Sequence, residues 1–150
     1  MERKVDYRVS DVTEVEQVSA RIFDEQFEAV FNRAQNLAEN QSAIAFKAAV
    51  EDVVVGVILG KITFNHLHIS ALAVDAAFRG HDIGTQLLEI LERTATEQGI
   101  TTVTLSTKSF QAKDFYLKKG YELMAELEDV PFAGVTKHYF VKRLYGTINR

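Results

Sequence analysis

The stretch from Ile69 to Ala95 constrains this chain more than any other. An apolar run, Ile69 to Val74, passes through Arg79-Gly80-His81-Asp82-Ile83-Gly84-Thr85 into a helical stripe of Ile83, Leu87, Leu88, Leu91 and Ala95. A strand that turns through arginine and glycine into a helix start leaves the first helical N–H groups unpaired and aims the positive end of the helix dipole at the turn. Such a turn suits an anion, a pyrophosphate above all, so a phosphorylated cofactor is the expected ligand.

The rest of the chain supplies the strands and helices around that turn. Val5 to Val9 alternates and predicts a short strand, and Asp11 with Glu14 has the spacing of a capping box. Ile22, Phe23, Phe27, Val30 and Phe31 recur at helical spacing, so a helical segment is expected over much of 11–39. Ala43 to Val50 and Val53 to Phe64 are rich in Val, Ile and Phe, and Glu51-Asp52 between them predicts an antiparallel hairpin. Leu67 to Val74 reads as a third adjacent strand after a turn at Asn65. Gly99 closes the helix that starts at Ile83, and Thr101 to Ser106 reads as a strand parallel to the one before that helix. A second short helix, Phe110 to Lys119, ends at Gly120, and Tyr121 to Leu127 and Lys137 to Leu144 read as two final strands.

Nothing in 150 residues resembles a linker or a repeat, so one compact domain over 1–150 is expected. No apolar run approaches membrane-spanning length and the first residues carry no signal-like stretch, which predicts a cytoplasmic protein without a membrane partner. The absence of cysteine excludes disulfides, thiolate metal sites and a cysteine nucleophile. With 17 basic against 21 acidic residues, nucleic acid is not expected as a partner, and a small cationic acceptor suits the balance.

The turn Arg79-Gly80-His81-Asp82-Ile83-Gly84 resembles the main motif of the GNAT superfamily of acyl-coenzyme A N-acyltransferases: Gln or Arg, two residues, Gly, one residue, Gly or Ala. Ala112-Lys113-Asp114-Phe115-Tyr116-Leu117-Lys118-Lys119-Gly120-Tyr121 is similar to the family's second motif: Ala, two residues, an apolar residue, Tyr, three residues, Gly and an aromatic. The resemblance is firm over 65–121 and extends through the order of elements. It implies an α/β (α+β) acyl-CoA N-acyltransferase fold, a mixed, mostly antiparallel twisted sheet with helices on both faces.

The resemblance further implies that two neighbouring parallel strands splay apart and that the pantetheine arm of acetyl-CoA pairs with the first of them. Leu72, Ala73 and Val74 would contribute backbone groups, and the N–H groups of His81, Asp82, Ile83, Gly84 and Thr85 would hold the pyrophosphate, with Gly80 in the turn and Arg79 orienting it. Ser109 stands where the second motif often has Asn; it would either touch the cofactor or cap the helix at Phe110. Asp82 departs from the pattern, occupying the place of its first glycine. A carboxylate there opposes a pyrophosphate by up to roughly 4 kcal/mol for unit charges about 4 Å apart at an effective dielectric near 20. As an N-cap it would also occupy N–H groups the phosphates need.

The implied reaction is direct acetyl transfer from acetyl-CoA to a primary amine, small-molecule or peptide, with no metal; oligomeric state stays open, a homodimer included. Tyr116 either packs its ring into the core or, by the resemblance, protonates the departing thiolate, for which a phenol near pKa 10 is suited. His66 and His68 share one face of a strand. They are a structural pair, a two-histidine metal site, or, for His68, a general base for the acceptor. Lys113, Lys118 and Lys119 read as a solvated helix face, and Glu126, Glu128 and Asp129 as a solvated strand end or an acceptor border. A non-catalytic CoA-binding module of the same fold stays open as an alternative, and so does a dinucleotide-binding domain, weakened by the broken glycine triplet.

Overall fold

The structure, a computed structural model, describes residues 3–144, the side chain of Gln111 excepted. It comprises two compact units, Met1–Leu37 and Ala38–Arg150. The first is built around α1 (Val12–Phe31). Asp11 caps it by accepting the Glu14 N–H at 3.0 Å, and Ser10 Oγ donates to Glu14 Oε2 at 2.8 Å. The helix fills much of 11–39, as expected, ending where Asn32 turns left-handed (φ 53°), and a 3₁₀ turn, Leu37–Asn40, follows. The strand expected at Val5–Val9 does not form: among the described residues no partner strand supplies its hydrogen bonds, and Val5, Tyr7 and Val9 are 65, 90 and 102% exposed. Alternation alone does not make a strand.

The second unit is one six-stranded sheet, ordered β1-β2-β3-β4-β6-β5. Its strands are β1 (Gln41–Val50), β2 (Val53–Thr63), β3 (His66–Val74), β4 (Thr102–Thr107), β5 (Glu122–Glu128) and β6 (Thr136–Arg143). The β1–β2 turn is Glu51-Asp52, both left-handed at φ 50° and 67°, the geometry that matches strand twist in a two-residue hairpin. All pairings are antiparallel except β3 with β4. Helix α2 (Ile83–Glu97) leads from β3 to β4, and α3 (Phe110–Lys118) from β4 to β5. Gly99, at φ +81°, ends α2 in a double bond pattern, its N–H to Thr96 C=O and the Ile100 N–H to Ala95 C=O, each 3.0 Å.

One face of this sheet is buried. Ile58, Leu67, Ile69, Val103, Leu105 and Phe140 meet Leu87, Leu88, Leu91 and Ala95 of α2 and Tyr116 of α3 in a single core. Each large side chain so buried contributes roughly 1.5–3 kcal/mol. Gly56 on β2 marks the closest approach, since a Cβ there would lie 2.8 Å from Ile83 Cγ2 and 3.2 Å from Leu87 Cδ1. Lys142 of β6 donates to Glu92 of α2 at 2.8 Å and to the Lys119 carbonyl at 2.9 Å, while Tyr121 donates to Glu92 at 2.8 Å. The end of α3 is thereby tied to α2.

Two irregularities shape the middle of the sheet. Leu59 faces Ala71 but Gly60 faces Ile69, so Ser70 is an extra residue that bulges β3. The parallel β3–β4 ladder joins only His66, Leu67 and His68 to Thr102, Val103 and Thr104. Beyond it β3 stays paired with β2 up to Val74, and β4 with β6 up to Thr107. Each half remains a strand while the seam between them opens.

Candidate active site

The open seam holds a cavity of about 240 Å³, with Ile69 to Leu72 on one side, Leu105 to Thr107 on the other, and Ala112 and Tyr116 of α3 closing it. Tyr116 is 7% exposed and is braced by the rings of Phe115, Tyr121 and Phe140, at 5.1, 5.5 and 5.8 Å. It is therefore both a core ring and a wall of the seam, which unites the two sequence readings. Burial pushes its phenol up to about 12, so it holds its proton throughout the neutral range.

Next to the seam, the turn encloses a second cavity of about 340 Å³ bounded by Val74, Arg79, Asp82, Gly84, Thr85 and Phe115. Asp75, whose side chain accepts the Ala77 N–H at 3.2 Å, starts the turn, and Arg79 Nε donates to the Val74 carbonyl at 3.3 Å. Arg79 thus straps the turn to the end of β3. The first α2 bond of the usual kind is Gln86 N–H to Asp82 C=O at 3.0 Å, which leaves the N–H groups of Ile83, Gly84 and Thr85 ahead of it. A Cβ on Gly84 would lie 3.7 Å from Val74 Cγ2 and 3.8 Å from Phe115, so its absence keeps the cavity floor open. These groups fit an anion bound by backbone.

Asp82 resolves differently from one of its expected roles. It occupies the N-cap position of α2 in the left-handed region (φ 62°, ψ 14°), and its side chain makes no capping hydrogen bond. Its carboxylate therefore does not compete for the N–H groups of the first turn. The left-handed backbone accounts for a glycine preference here, since it costs an ordinary L-residue roughly 1–2 kcal/mol, while Asp and Asn tolerate it better.

The remaining candidates are dispersed. The His81 side chain lines a separate groove of about 290 Å³ beside Phe46 and Gln86. Ala73 is exposed. Ser109 caps α3 by accepting the Ala112 N–H at 3.4 Å, and it borders neither of the two cavities. Lys113 pairs with Glu126 at 3.1 Å, and Lys118 with Asp114 at 2.9 Å.

His66 and His68 do share a face, the one opposite the core, and both reach one hydroxyl: Thr104 Oγ1 is 2.6 Å from His66 Nε2 and 2.9 Å from His68 Nδ1. His68 and Thr104 form the last pair of the β3–β4 ladder, where the seam begins to open. Burial, with His66, Lys137 and Lys61 nearby, lowers the His68 pKa from its ordinary value. Among the described residues, no group of three or more His, Cys, Asp or Glu side chains could hold a metal ion.

Two residues escaped the sequence reading. Thr104 was legible only as part of the alternation Thr102, Thr104, Ser106. His138, with no distinguishing pattern, is 1% exposed on β6 with neither ring nitrogen hydrogen-bonded, Glu126 Oε2 lying 3.8 Å from Nδ1.

Residues 9–143 match the family described as acetyltransferase (GNAT) domain. The chain belongs to the GNAT acetyltransferase family. It is 38% identical over 90 residues to the blasticidin-S acetyltransferase of Streptomyces morookaense, a match spanning 59% of this chain and 65% of that protein. An acetyltransferase from Bacillus cereus ATCC 14579 superposes with a TM-score of 0.78 at 30% identity, covering 93% of this chain and 98% of that one. An aminoglycoside 6'-N-acetyltransferase complexed with coenzyme A shares the fold, with a TM-score of 0.60 at 21% identity, covering 72% and 74% of the two chains. The fold of this GNAT chain is thus shared with solved acetyltransferases. Among the described residues no helix is long and apolar enough to cross a membrane.

Proposed function

We propose that this chain transfers an acetyl group from acetyl-CoA directly to a primary amine of a small molecule. The observation that carries the reading is the open β3–β4 seam, with Tyr116 in its wall and the free N–H groups of the α2 start beside it. The pyrophosphate would rest on Ile83, Gly84 and Thr85, and the pantetheine arm would follow the unpaired edge of β3 past Leu72 and Val74. The printed names of the relatives, which include blasticidin-S and aminoglycoside acetyltransferases, support a small-molecule acceptor.

In this reaction the amine nitrogen attacks the thioester carbonyl, the C–S bond breaks, and the amine gives up one proton. Holding amine and thioester together in one seam supplies most of the acceleration. The seam-side N–H groups near Val74 would polarise the carbonyl. His68 would take the amine proton onto Nε2, which requires a specific tautomer: Nδ1–H donating to Thr104 Oγ1, and the Thr104 hydroxyl donating to His66 Nε2. Tyr116 would donate its O–H to the departing sulfur. Full transfer from a phenol near 12 to a solvated thiolate, whose thiol ionises near 8.5, is uphill by about 5 kcal/mol. Burial of the sulfur in the same cavity raises the thiol as well and narrows that gap.

The test is thiol release from acetyl-CoA across a panel of amines, with Tyr116→Phe as control. Amine-dependent release that falls sharply in the variant supports the proposal. Stabilisation by CoA with no release for any amine would favour a binding module instead.

A further inference from the structure

The sheet face opposite the core has a charge of its own. Following the strand register from His68 outward, that face carries Lys47, Lys61, Lys137 and Arg143 against a single carboxylate, Glu122, on the edge strand β5. The whole chain carries a formal charge of -4, so this face runs against the bulk. Lys61 is the direct cross-strand partner of His68. Lys137 is held over the Tyr139 ring at 5.3 Å, whereas Arg143 is engaged with Thr102 Oγ1 at 2.7 Å. Among the described residues neither Lys61 nor Lys137 is paired with a carboxylate.

We propose that the acceptor amine bears an anionic group, carboxylate or phosphate, which Lys61 and Lys137 hold so that the amine reaches His68 at the mouth of the seam. The inference rests on the reading of His68 as the base and names the substrate class that base would serve. Burial above all, and then the neighbouring His66, Lys137 and Lys61, lowers the His68 pKa, and those cations also favour loss of a proton from an incoming ammonium. The same surroundings repel an ammonium that brings no counter-charge. An anion on the substrate reverses the sign of that approach, so a zwitterionic amine is admitted and a polycation is turned away. The small cationic acceptor suggested by net charge is replaced, on local charge, by an amine that carries its own anion.

The experiment uses the full chain and matched amines: 4-aminobutanoate against butylamine, O-phosphoethanolamine against ethanolamine, and spermidine as polycation. The anionic member of a pair is expected to show a kcat/KM at least about tenfold above its neutral partner, and Lys61→Glu is expected to lower that ratio about tenfold or more. The pair that shows the preference distinguishes carboxylate from phosphate. Equal use of both members, a preference for spermidine, or a ratio unmoved by Lys61→Glu overturns the inference. Independently of turnover, acetate and inorganic phosphate are titrated while the His68 ring resonances are followed by NMR. Shifts that disappear in Lys61→Glu sustain the anion site, and no shift with either probe overturns it. Turnover absent for every amine would count against the acetyltransferase reading alone, and the NMR titration would then decide the anion site.

Discussion

The two faces of the sheet divide the work. The core face is apolar and aromatic: Phe140 and Leu67 are fully buried there, and Tyr116 keeps its proton because burial raises its pKa. The opposite face is mixed: Val57, Leu59, Tyr139 and Val141 share it with the hydrogen-bonded run of His66, Thr104 and His68 and with Lys61, and here burial and neighbouring cations lower the pKa of His68. Desolvation favours the neutral form on both sides, which makes a phenol a donor and an imidazole an acceptor. A strand seam that opens halfway would let one reacting centre meet both faces, as the proposed reaction requires, whereas a fully paired seam would keep them apart.

That comparison can be broken most strongly at Tyr116. Tyr116→Phe is expected to lower kcat by roughly 100-fold while the KM for acetyl-CoA moves less than about threefold. Steady-state kinetics with a good acceptor decide it, and a change below about tenfold would confine Tyr116 to packing.

Next in size is the junction of core and turn. Gly56→Ala places a methyl group 2.8 Å from Ile83 Cγ2 and is expected to cost about 1–3 kcal/mol in urea unfolding and to weaken CoA binding with it. Unchanged stability would show that α2 shifts freely against β2. On the opposite face, His68→Gln is expected to lower kcat/KM roughly tenfold. Its pH signature has a definite sign: because the pKa is lowered, the imidazole stays neutral as pH falls through its ordinary 6.5, so the acid limb of the wild-type rate lies below 6.5. A limb above that value, or one that survives His68→Gln, would leave the opposite face without a base.

The smallest expected effect is at Asp82. Asp82→Gly removes a charge beside the turn cavity and relieves a left-handed residue, so CoA should bind about threefold to tenfold tighter with no loss of thermal stability. Calorimetric titration checks it, and a large loss of affinity would mean that the carboxylate serves the site.

Much of this was legible locally. The Glu51-Asp52 turn, the Asp11 cap, the Gly99 stop and the stripe from Ile83 to Ala95 each depend on residues a few positions apart, and each formed as expected. So did the parallel step from β3 to β4, and the motif around Tyr116 placed its ring on the seam. Val5–Val9 failed because a strand exists only with a partner, which alternation cannot supply. Ser109 took the capping role, one of the two its position allowed, while the His81 side chain, as distinct from the backbone N–H expected to serve the turn, lines a different groove. Thr104 and His138 passed unnoticed because their surroundings come from distant elements: His66 and His68 of β3 about Thr104, Glu126 of β5 and Phe110 of α3 about His138.

The sequence by itself determined the order of elements from α1 onward, the anion-ready turn and the presence of a phenol on α3, since helix periodicity, caps and left-handed turns are short-range consequences of residue type. Only the tertiary structure decided that the β3–β4 ladder stops at His68 and Thr104, that Ser70 bulges, and that four cations share the face of His68. Those facts depend on register between strands far apart in the chain, where the balance of pairing, packing and charge is settled by the whole sheet.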